Sequence, residues 1–227
     1  MALALELSDL VGLFKINAHL FTAEGPEAVR RLAKLAAGIF LDLKYHDIPN
    51  TVAGAVKAAA ALPGVQLLNV HATGGLAMMQ AAAQAVADRP DDARPKLLGV
   101  TILTSLDKKA LGQIGISGSP QTRVVSLARL AKRAGLDGVV ASPREVKRIK
   151  KVCGPGFLTV IPGIRPAGAE NGSPKRGDDQ ERVATPGDAI RAGADYLVVG
   201  RPITAAPDPR AAAQAVVEEI AVAMSGA

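Results

Sequence analysis

The sequence predicts an α/β protein of the (β/α)8 or TIM-barrel class in which strand 1 is missing from the chain. Seven short apolar runs alternate with longer, alanine-rich segments of helical periodicity. Alternation of strand and helix is typical of parallel sheets built from βαβ units. The chain has 227 residues, a length that one α/β barrel commonly fills. We therefore expect a single barrel domain over residues 1–227.

The apolar runs define the predicted strands, and the segments between them define the helices. The strands cover 13–17, 38–44, 65–71, 97–103, 136–141, 156–161 and 195–200. The helical patterns include 26–36, 49–61, 76–87, 121–134 and 144–151. Runs such as LLGVTIL and DYLVVG are apolar almost throughout, which indicates strands buried on both faces. A closed barrel needs eight strands, and residues 2–10 have a helical pattern, so we expect the first strand to be absent.

The composition excludes several classes of protein. Hydrophobic residues make up 48% of the chain and charged residues 21%, which is typical of a globular domain. No apolar run is long enough to span a membrane, and the first ten residues lack the features of a signal peptide. A single cysteine, Cys153, excludes an internal disulfide and suits a reducing compartment, so we expect a cytoplasmic protein.

The chain is basic, with a formal net charge of +6 and a sequence pI of about 9.6. A basic chain can bind nucleic acid, but only 3% of the residues are aromatic and there is no tryptophan to stack on bases. An anionic small substrate explains the excess charge at least as well. Most of the Lys and Arg residues are scattered along helical segments, where we interpret them as solvent-exposed.

The richest candidate site is the stretch FLDLKYHDIPNTV, residues 40–52. Alternation along a strand places Asp42 and Lys44 on one face, which we expect to be the inside of the barrel at the end where active sites form. Asp47 follows as the strand gives way to a helix, and Lys15 lies in the neighbouring strand. Buried charges need partners or a purpose. The four residues predict a cluster of alternating charge; a purely structural ion pair between Asp42 and Lys44 is the alternative.

A second candidate site follows the last two predicted strands. VIPGIR contains Gly163 and Arg165, and VVGR contains Gly200 and Arg201. Barrels commonly bind phosphate at these two loops, through backbone N–H groups and arginine side chains. The alternative is a pair of turn glycines beside surface arginines. The loop over 163–186 is unusually long, and we interpret it as a lid because such loops often bind ligands.

The remaining polar residues give weaker signals. The spacing of the three histidines, His19, His46 and His71, is not that of a metal site, and we expect structural roles for them. For His71, which ends a predicted strand, a role in supporting the site is the alternative. Nothing marks Cys153 as a nucleophile. Thr104 follows an apolar strand and has a hydroxyl suited to a polar ligand ring.

The motifs together resemble orotidine 5′-phosphate decarboxylase of the bacterial type. The matching segments are LDLKYHDIPNTV, NVHATGG, GVTILTS, TVIPGIRP, DDQ and VVGRPIT, and the similarity extends from Val11 onward. The resemblance implies decarboxylation of orotidine monophosphate to UMP by a homodimer with shared active sites, without cofactor or metal. Members of that family begin with a strand ending in an aspartate, which we do not find before the first helix.

The resemblance also implies a role for each matching residue. Lys44 would donate the proton to C6 of the pyrimidine, Asp42 would face the substrate carboxylate, and Lys15 would contact the ribose and orient Asp42. Asp47 and Thr51 would complete the active site of the dimer partner. The residues implied for the phosphate, its loop and the pyrimidine are Arg165, Gln180, Gly200, Arg201 and Thr104.

Two other functions remain open at this point. A magnesium-dependent sugar-phosphate decarboxylase or aldolase of the same superfamily shares the DxKxxD pattern. A catalytically inactive phosphate-binding or nucleic-acid-binding relative would explain the missing strand and the basic pI. The segment IPNT after Asp47 and the loop from PGIR to DDQ favour the nucleotide enzyme.

Overall fold

The computed structural model describes residues 1–35, 38–90, 93–166 and 183–225. Within these ranges the strands are β1 (Leu13–Asn17), β2 (Gly38–Tyr45), β3 (Val65–His71), β4 (Lys96–Val100), β5 (Gly138–Val140), β6 (Leu158–Ile161) and β7 (Tyr196–Leu197). The α-helices are α1 (Ala2–Leu7), α2 (Ala18–Glu24), α3 (Pro26–Ala33), α4 (Pro49–Ala60), α5 (Gly75–Ala87), α6 (Lys108–Gln113), α7 (Pro120–Arg133), α8 (Val146–Cys153), α9 (Pro186–Arg191), α10 (Arg201–Thr204) and α11 (Pro209–Ser225). None of the helices in these ranges is both long and apolar enough to cross a bilayer.

All seven predicted strands are present in the described part of the chain, in the order β1-β2-β3-β4-β5-β6-β7. The ends differ from the predictions. β4 ends at Val100 rather than at residue 103, and β7 has two residues rather than six. Residues 104–120, between the predicted strand over 97–103 and the predicted helix over 121–134, contain α6, whose N-terminus is capped by the Asp107 carboxylate. An aspartate at this position is a helix-start signal.

The chain divides into two compact units, Met1–Val100 with Leu130–Gly138, and Thr101–Arg129 with Val139–Ala227. In the first unit β1, β2, β3 and β4 pair in parallel and in sequence order. Leucine and valine fill its core, with Leu41, Leu68, Val70 and Leu98 fully buried. The prediction of one domain over residues 1–227 stays a prediction.

β2 departs from regular strand geometry just where the predicted site lies. Leu41 pairs with Leu68 and Tyr45 pairs with Val70, so three residues of β2 face the single residue Asn69 of β3. Within this bulge Lys44 has φ +52°, in the left-handed region that lysine rarely adopts. The strict period of two used to place Asp42 and Lys44 on one face is therefore wrong beyond Asp42.

In the second unit β6 pairs in parallel with β7, with Val160 opposite Tyr196 and Ile161 opposite Leu197. The Asp195 carboxylate accepts hydrogen bonds from the Thr159 backbone and hydroxyl and from the Lys150 ammonium. These bonds hold the start of β7 against β6. The loops that follow the two strands consequently leave from the same end of the pair.

Candidate active site

The structure brings three of the predicted charges together around Asp42. Lys44 Nζ lies 2.6 Å from Asp42 Oδ1, and Lys15 Nζ lies 3.1 Å from Oδ2. Asp42 is 7% exposed, whereas both lysine side chains are about one third exposed, at 31% and 36%. The parallel register explains the approach, because Lys15 lies opposite Phe40 and Asn17 lies opposite Asp42. A buried carboxylate thus forms ion pairs with two ammonium groups whose side chains are partly exposed.

Sequence reasoning missed Asn69, which completes this group. Its Nδ2 donates to Asp42 Oδ1 over 2.6 Å, and its Oδ1 accepts the backbone N–H of Lys44 over 2.8 Å. Asn69 is completely buried. A polar side chain inside the apolar run VQLLNVH was the available signal, since buried amides usually have specific hydrogen-bond partners.

The surroundings of Asp42 keep it ionised. Burial alone would raise the pKa of its carboxyl group. The charges of Lys15 and Lys44, with hydrogen bonds from Lys44 and Asn69, outweigh burial and hold the pKa below its ordinary value of 3.8. The site therefore contains a fixed negative charge, and each carboxylate oxygen has at least one partner that can donate a hydrogen bond to it.

Asp47 does not join this cluster, so the predicted group of four charges is wrong for the single chain. Asp47 is exposed and accepts a hydrogen bond from the backbone N–H of Ile48, over 2.6 Å. Among the described residues it forms no ion pair. The chain turns away after the bulge, and α4 begins at Pro49. Thr51, in the first turn of α4, is also exposed.

Two histidines lie beside the cluster. The ring centroids of His46 and His71 are 5.4 Å apart. Burial, together with His46 and Lys44, lowers the pKa of His71 below 6.5, although Asp42 acts in the opposite direction. His71 therefore remains neutral over a wider pH range than a free histidine. In the described ranges no group of three His, Cys, Asp or Glu side chains is placed to hold a metal ion.

The second predicted site lies in the other unit. Gly163 has φ +77°, and its carbonyl accepts the Ala184 N–H. Arg165 is half-buried and donates to the Ile164 carbonyl over 2.9 Å. Gly200 and Arg201 are exposed at the start of α10, and the space around the Gly200 Cα is open.

Thr104, Gln180 and the lid over 163–186 were also predicted to bind the substrate. Thr104 is 8% exposed, and the Thr101 hydroxyl donates to the Val140 carbonyl over 2.8 Å. Gln180 and most of the predicted lid over 163–186 lie outside the described residues.

The sequence that forms these sites is similar to that of a known protein family. Residues 1–216 match the model of the orotidine 5′-phosphate decarboxylase / HUMPS family. The chain belongs to this family. The match covers the Asp42 cluster and the segments that follow β6 and β7, so both candidate sites lie within the part that defines membership.

Individual members of the family are similar over nearly their whole length. The chain is 56% identical over 214 residues to orotidine 5′-phosphate decarboxylase of Pelobacter propionicus, covering 94% of this chain and 86% of that protein. It is 53% identical over 218 residues to the enzyme of Moorella thermoacetica, covering 94% and 84%. The crystal structure of orotidine 5′-phosphate decarboxylase from Lactobacillus acidophilus matches with a TM-score of 0.78 at 41% identity, covering 91% of this chain and 85% of that one. The predicted fold class is thereby confirmed as a TIM-barrel-like (β/α) fold, with seven strands in the described residues.

Proposed function

We propose that this chain decarboxylates orotidine 5′-phosphate to UMP, the last step of pyrimidine biosynthesis, as a cytoplasmic homodimer that needs no cofactor or metal. The observation that carries the proposal is the ionised Asp42, held by ion pairs with Lys44 and Lys15, in a member of the decarboxylase family. The names and high identity of the relatives support the same reaction. They offer no support for the sugar-phosphate alternative or for an inactive relative.

The chemistry required matches the residues of the cluster. When the bond between C6 and the carboxylate breaks, carbon dioxide leaves and its electron pair stays on C6. That carbon has no electron sink in the ring, so the charge has to be stabilised electrostatically and then neutralised by a proton. Lys44 Nζ carries the proton, and its 2.6 Å hydrogen bond to Asp42 orients it. After transfer, the lysine regains a proton from solvent.

Asp42 and Lys15 act on the bound substrate in different ways. The Asp42 charge opposes the substrate carboxylate, and this repulsion disappears as carbon dioxide leaves, which favours the transition state over the bound substrate. Lys15 holds the other Asp42 oxygen and directs it, while its partly exposed side chain remains available to the ribose.

The phosphate is assigned to residues of the second unit. Arg165, Gly200 and Arg201, with Gln180, are the proposed phosphate ligands, and Thr104 is the proposed pyrimidine contact. The exposed Gly200 backbone and Arg201 side chain support this assignment, because phosphate is commonly bound by backbone N–H groups and guanidinium groups. Binding energy from the phosphate would position the ring.

Asp47 and Thr51 are proposed to serve the active site of the dimer partner. Both are exposed in the single chain, as is Ile48 between them. Side chains that are exposed in one chain are available to a second copy.

An absorbance assay tests the proposed reaction. Purified protein is mixed with orotidine monophosphate, with and without EDTA, beside the variants Lys44→Ala and Lys57→Ala. Lys57 is an exposed lysine of α4 and controls for the loss of one positive charge. We expect EDTA-resistant turnover by wild type and Lys57→Ala, and a fall of at least about a hundredfold for Lys44→Ala, the scale of a lost general acid.

The alternatives give different results in the same assay. EDTA-sensitive activity on a sugar phosphate, without turnover of orotidine monophosphate, would establish the magnesium enzyme. Nucleotide binding without turnover would establish an inactive relative.

A further inference from the structure

Asn69 occupies a position that regular strand pairing does not explain. It is the one residue of β3 between the paired positions Leu68 and Val70, and it faces the three bulged residues of β2. Its side chain is fully buried among apolar neighbours on the same strand. Burying an amide costs free energy unless its hydrogen-bonding groups are satisfied. The partners of this amide therefore indicate its role.

Both partners of Asn69 belong to the catalytic pair. The amide nitrogen donates to Asp42 Oδ1 over 2.6 Å, and the amide oxygen accepts the Lys44 backbone N–H over 2.8 Å. Lys44 Nζ donates to the same Asp42 oxygen. One buried side chain thus closes a ring of hydrogen bonds through the backbone of Lys44, its ammonium group and the Asp42 carboxylate.

The bond to Lys44 also stabilises an unfavourable backbone conformation. A lysine in the left-handed region costs free energy, and the bulge removes the regular ladder partner of its N–H group. Asn69 supplies the missing acceptor from the neighbouring strand. The direction in which the Lys44 side chain leaves β2 therefore depends on this amide.

We propose that Asn69 is a positioning residue for the decarboxylation, which fixes the Lys44 backbone and the Asp42 carboxylate relative to each other. This inference rests on the proposed function. Asn69 acts through these two residues, so its loss lowers kcat and leaves nucleotide affinity nearly unchanged. The role requires a donor and an acceptor on one side chain, which an amide supplies and a carboxylate or an alkyl group does not.

Two substitutions separate positioning from packing. Asn69→Leu keeps a similar volume and removes both hydrogen bonds. Asn69→Asp keeps the acceptor for Lys44 but places a second carboxylate against Asp42. Two adjacent carboxylates raise the pKa of one of them, so the introduced group binds a proton more readily than a free aspartate does. Once protonated, its O–H can donate to Asp42, which restores both hydrogen bonds.

The experiment measures kcat and KM for orotidine monophosphate between pH 5 and 8, and affinity for UMP. The control is Asp137→Asn in the same unit; in the described residues the Asp137 carboxylate contacts Arg94, Lys96 and the Leu97 N–H rather than Asp42, Lys44 or Asn69. For Asn69→Leu we expect kcat to fall about a hundredfold or more at pH 7, with UMP affinity within about threefold of wild type. For Asn69→Asp we expect kcat, relative to wild type, to recover at least tenfold between pH 8 and 5.

Amide hydrogen exchange at Lys44 is followed by NMR as a second measurement that does not depend on activity. We expect slow exchange in the wild type, faster exchange in Asn69→Leu and wild-type exchange in Asp137→Asn. If wild type fails to turn over the substrate, the proposed function is wrong, and the exchange rates still decide whether Asn69 holds Lys44. The positioning role is overturned if both Asn69 variants keep kcat within about threefold, if the relative kcat of Asn69→Asp does not depend on pH, or if Lys44 exchange is unchanged in Asn69→Leu.

Discussion

Asp42 shows how a single side chain can be buried and charged at once. Its carboxylate forms ion pairs with Lys15 and Lys44 and accepts a hydrogen bond from Asn69. These contacts favour the ionised form even though burial removes the carboxylate from water. The sequence was sufficient to predict that Asp42, Lys44 and Lys15 meet, because Lys15 lies on the strand next to Asp42 and Lys44 follows Asp42 closely. The direction of Lys44 is set by the bulge in β2 rather than by strand periodicity. The sequence was not sufficient for Asn69, since nothing in the local pattern shows that β2 bulges opposite it.

The lowered pKa of Asp42 predicts a pH dependence of stability. The unfolded chain binds a proton near pH 3.8 and the folded chain only at lower pH, so this carboxylate stabilises the fold above pH 3.8. That contribution is lost as the pH falls through the folded-state pKa. In Asp42→Asn the group does not titrate. We expect the difference in free energy of unfolding between wild type and Asp42→Asn to shrink as the pH falls from about 5 to 3, measured by urea denaturation. A constant difference over that range would contradict the prediction.

The lowered pKa of His71 predicts a second pH effect. Below pH 6.5 the unfolded chain binds a proton that the folded chain binds only at lower pH, so wild-type stability falls as the pH drops through this window. We expect His71→Gln to lose less stability than wild type between pH 7 and 5 in urea denaturation. His19→Gln removes an exposed histidine of α2 and serves as the control. An equal loss of stability in wild type and His71→Gln would contradict the assignment.

At the scale of elements, the apolar runs predicted all seven strands of the described residues, but the strand ends depended on features that such runs do not contain. β4 ends at Val100 although apolar residues continue to residue 103, and Thr101 instead bonds Val140 through both its N–H and its hydroxyl. α2 begins at Ala18 directly after β1, where the Asn17 side chain caps it by accepting the Leu20 N–H. Tertiary hydrogen bonds and helix caps thus decide where a strand or helix ends, and the apolar pattern of a single segment does not contain them.

Two glycines, one packed against a neighbouring helix and one in open space, are predicted to have opposite effects on stability. A Cβ on Gly99 would lie 3.2 Å from Ala131 Cβ and 3.3 Å from Leu136 Cδ1, tighter than ordinary contact. We expect Gly99→Ala to lower the free energy of unfolding by about 1–3 kcal/mol. Gly54 lies inside α4 with open space around it, so Gly54→Ala should raise that free energy by about 0.5–1 kcal/mol. Urea denaturation measures both; a Gly99→Ala variant as stable as wild type would contradict the close packing.

For the whole molecule, the order of strands and helices predicted the fold class, and the motifs predicted the family. The excess of positive charge, +6 overall, is compatible with an anionic nucleotide substrate. Asp47 shows the limit of reading one chain. Its spacing from Lys44 suggested one shared cluster, but the bulge and the start of α4 leave it exposed. Its proposed role in a dimer partner's site would depend on contacts between two chains, which periodicity along one chain does not encode.

In the proposed function, the charge of Asp42 drives the reaction rather than substrate binding. The most direct test compares kcat for orotidine monophosphate with the affinity for UMP, which lacks the carboxylate, in wild type and Asp42→Asn. We predict that Asp42→Asn loses at least about a hundredfold in kcat, while it binds UMP as tightly as wild type or more tightly. Turnover within about threefold of wild type, or an equal loss of turnover and UMP affinity, would contradict the account.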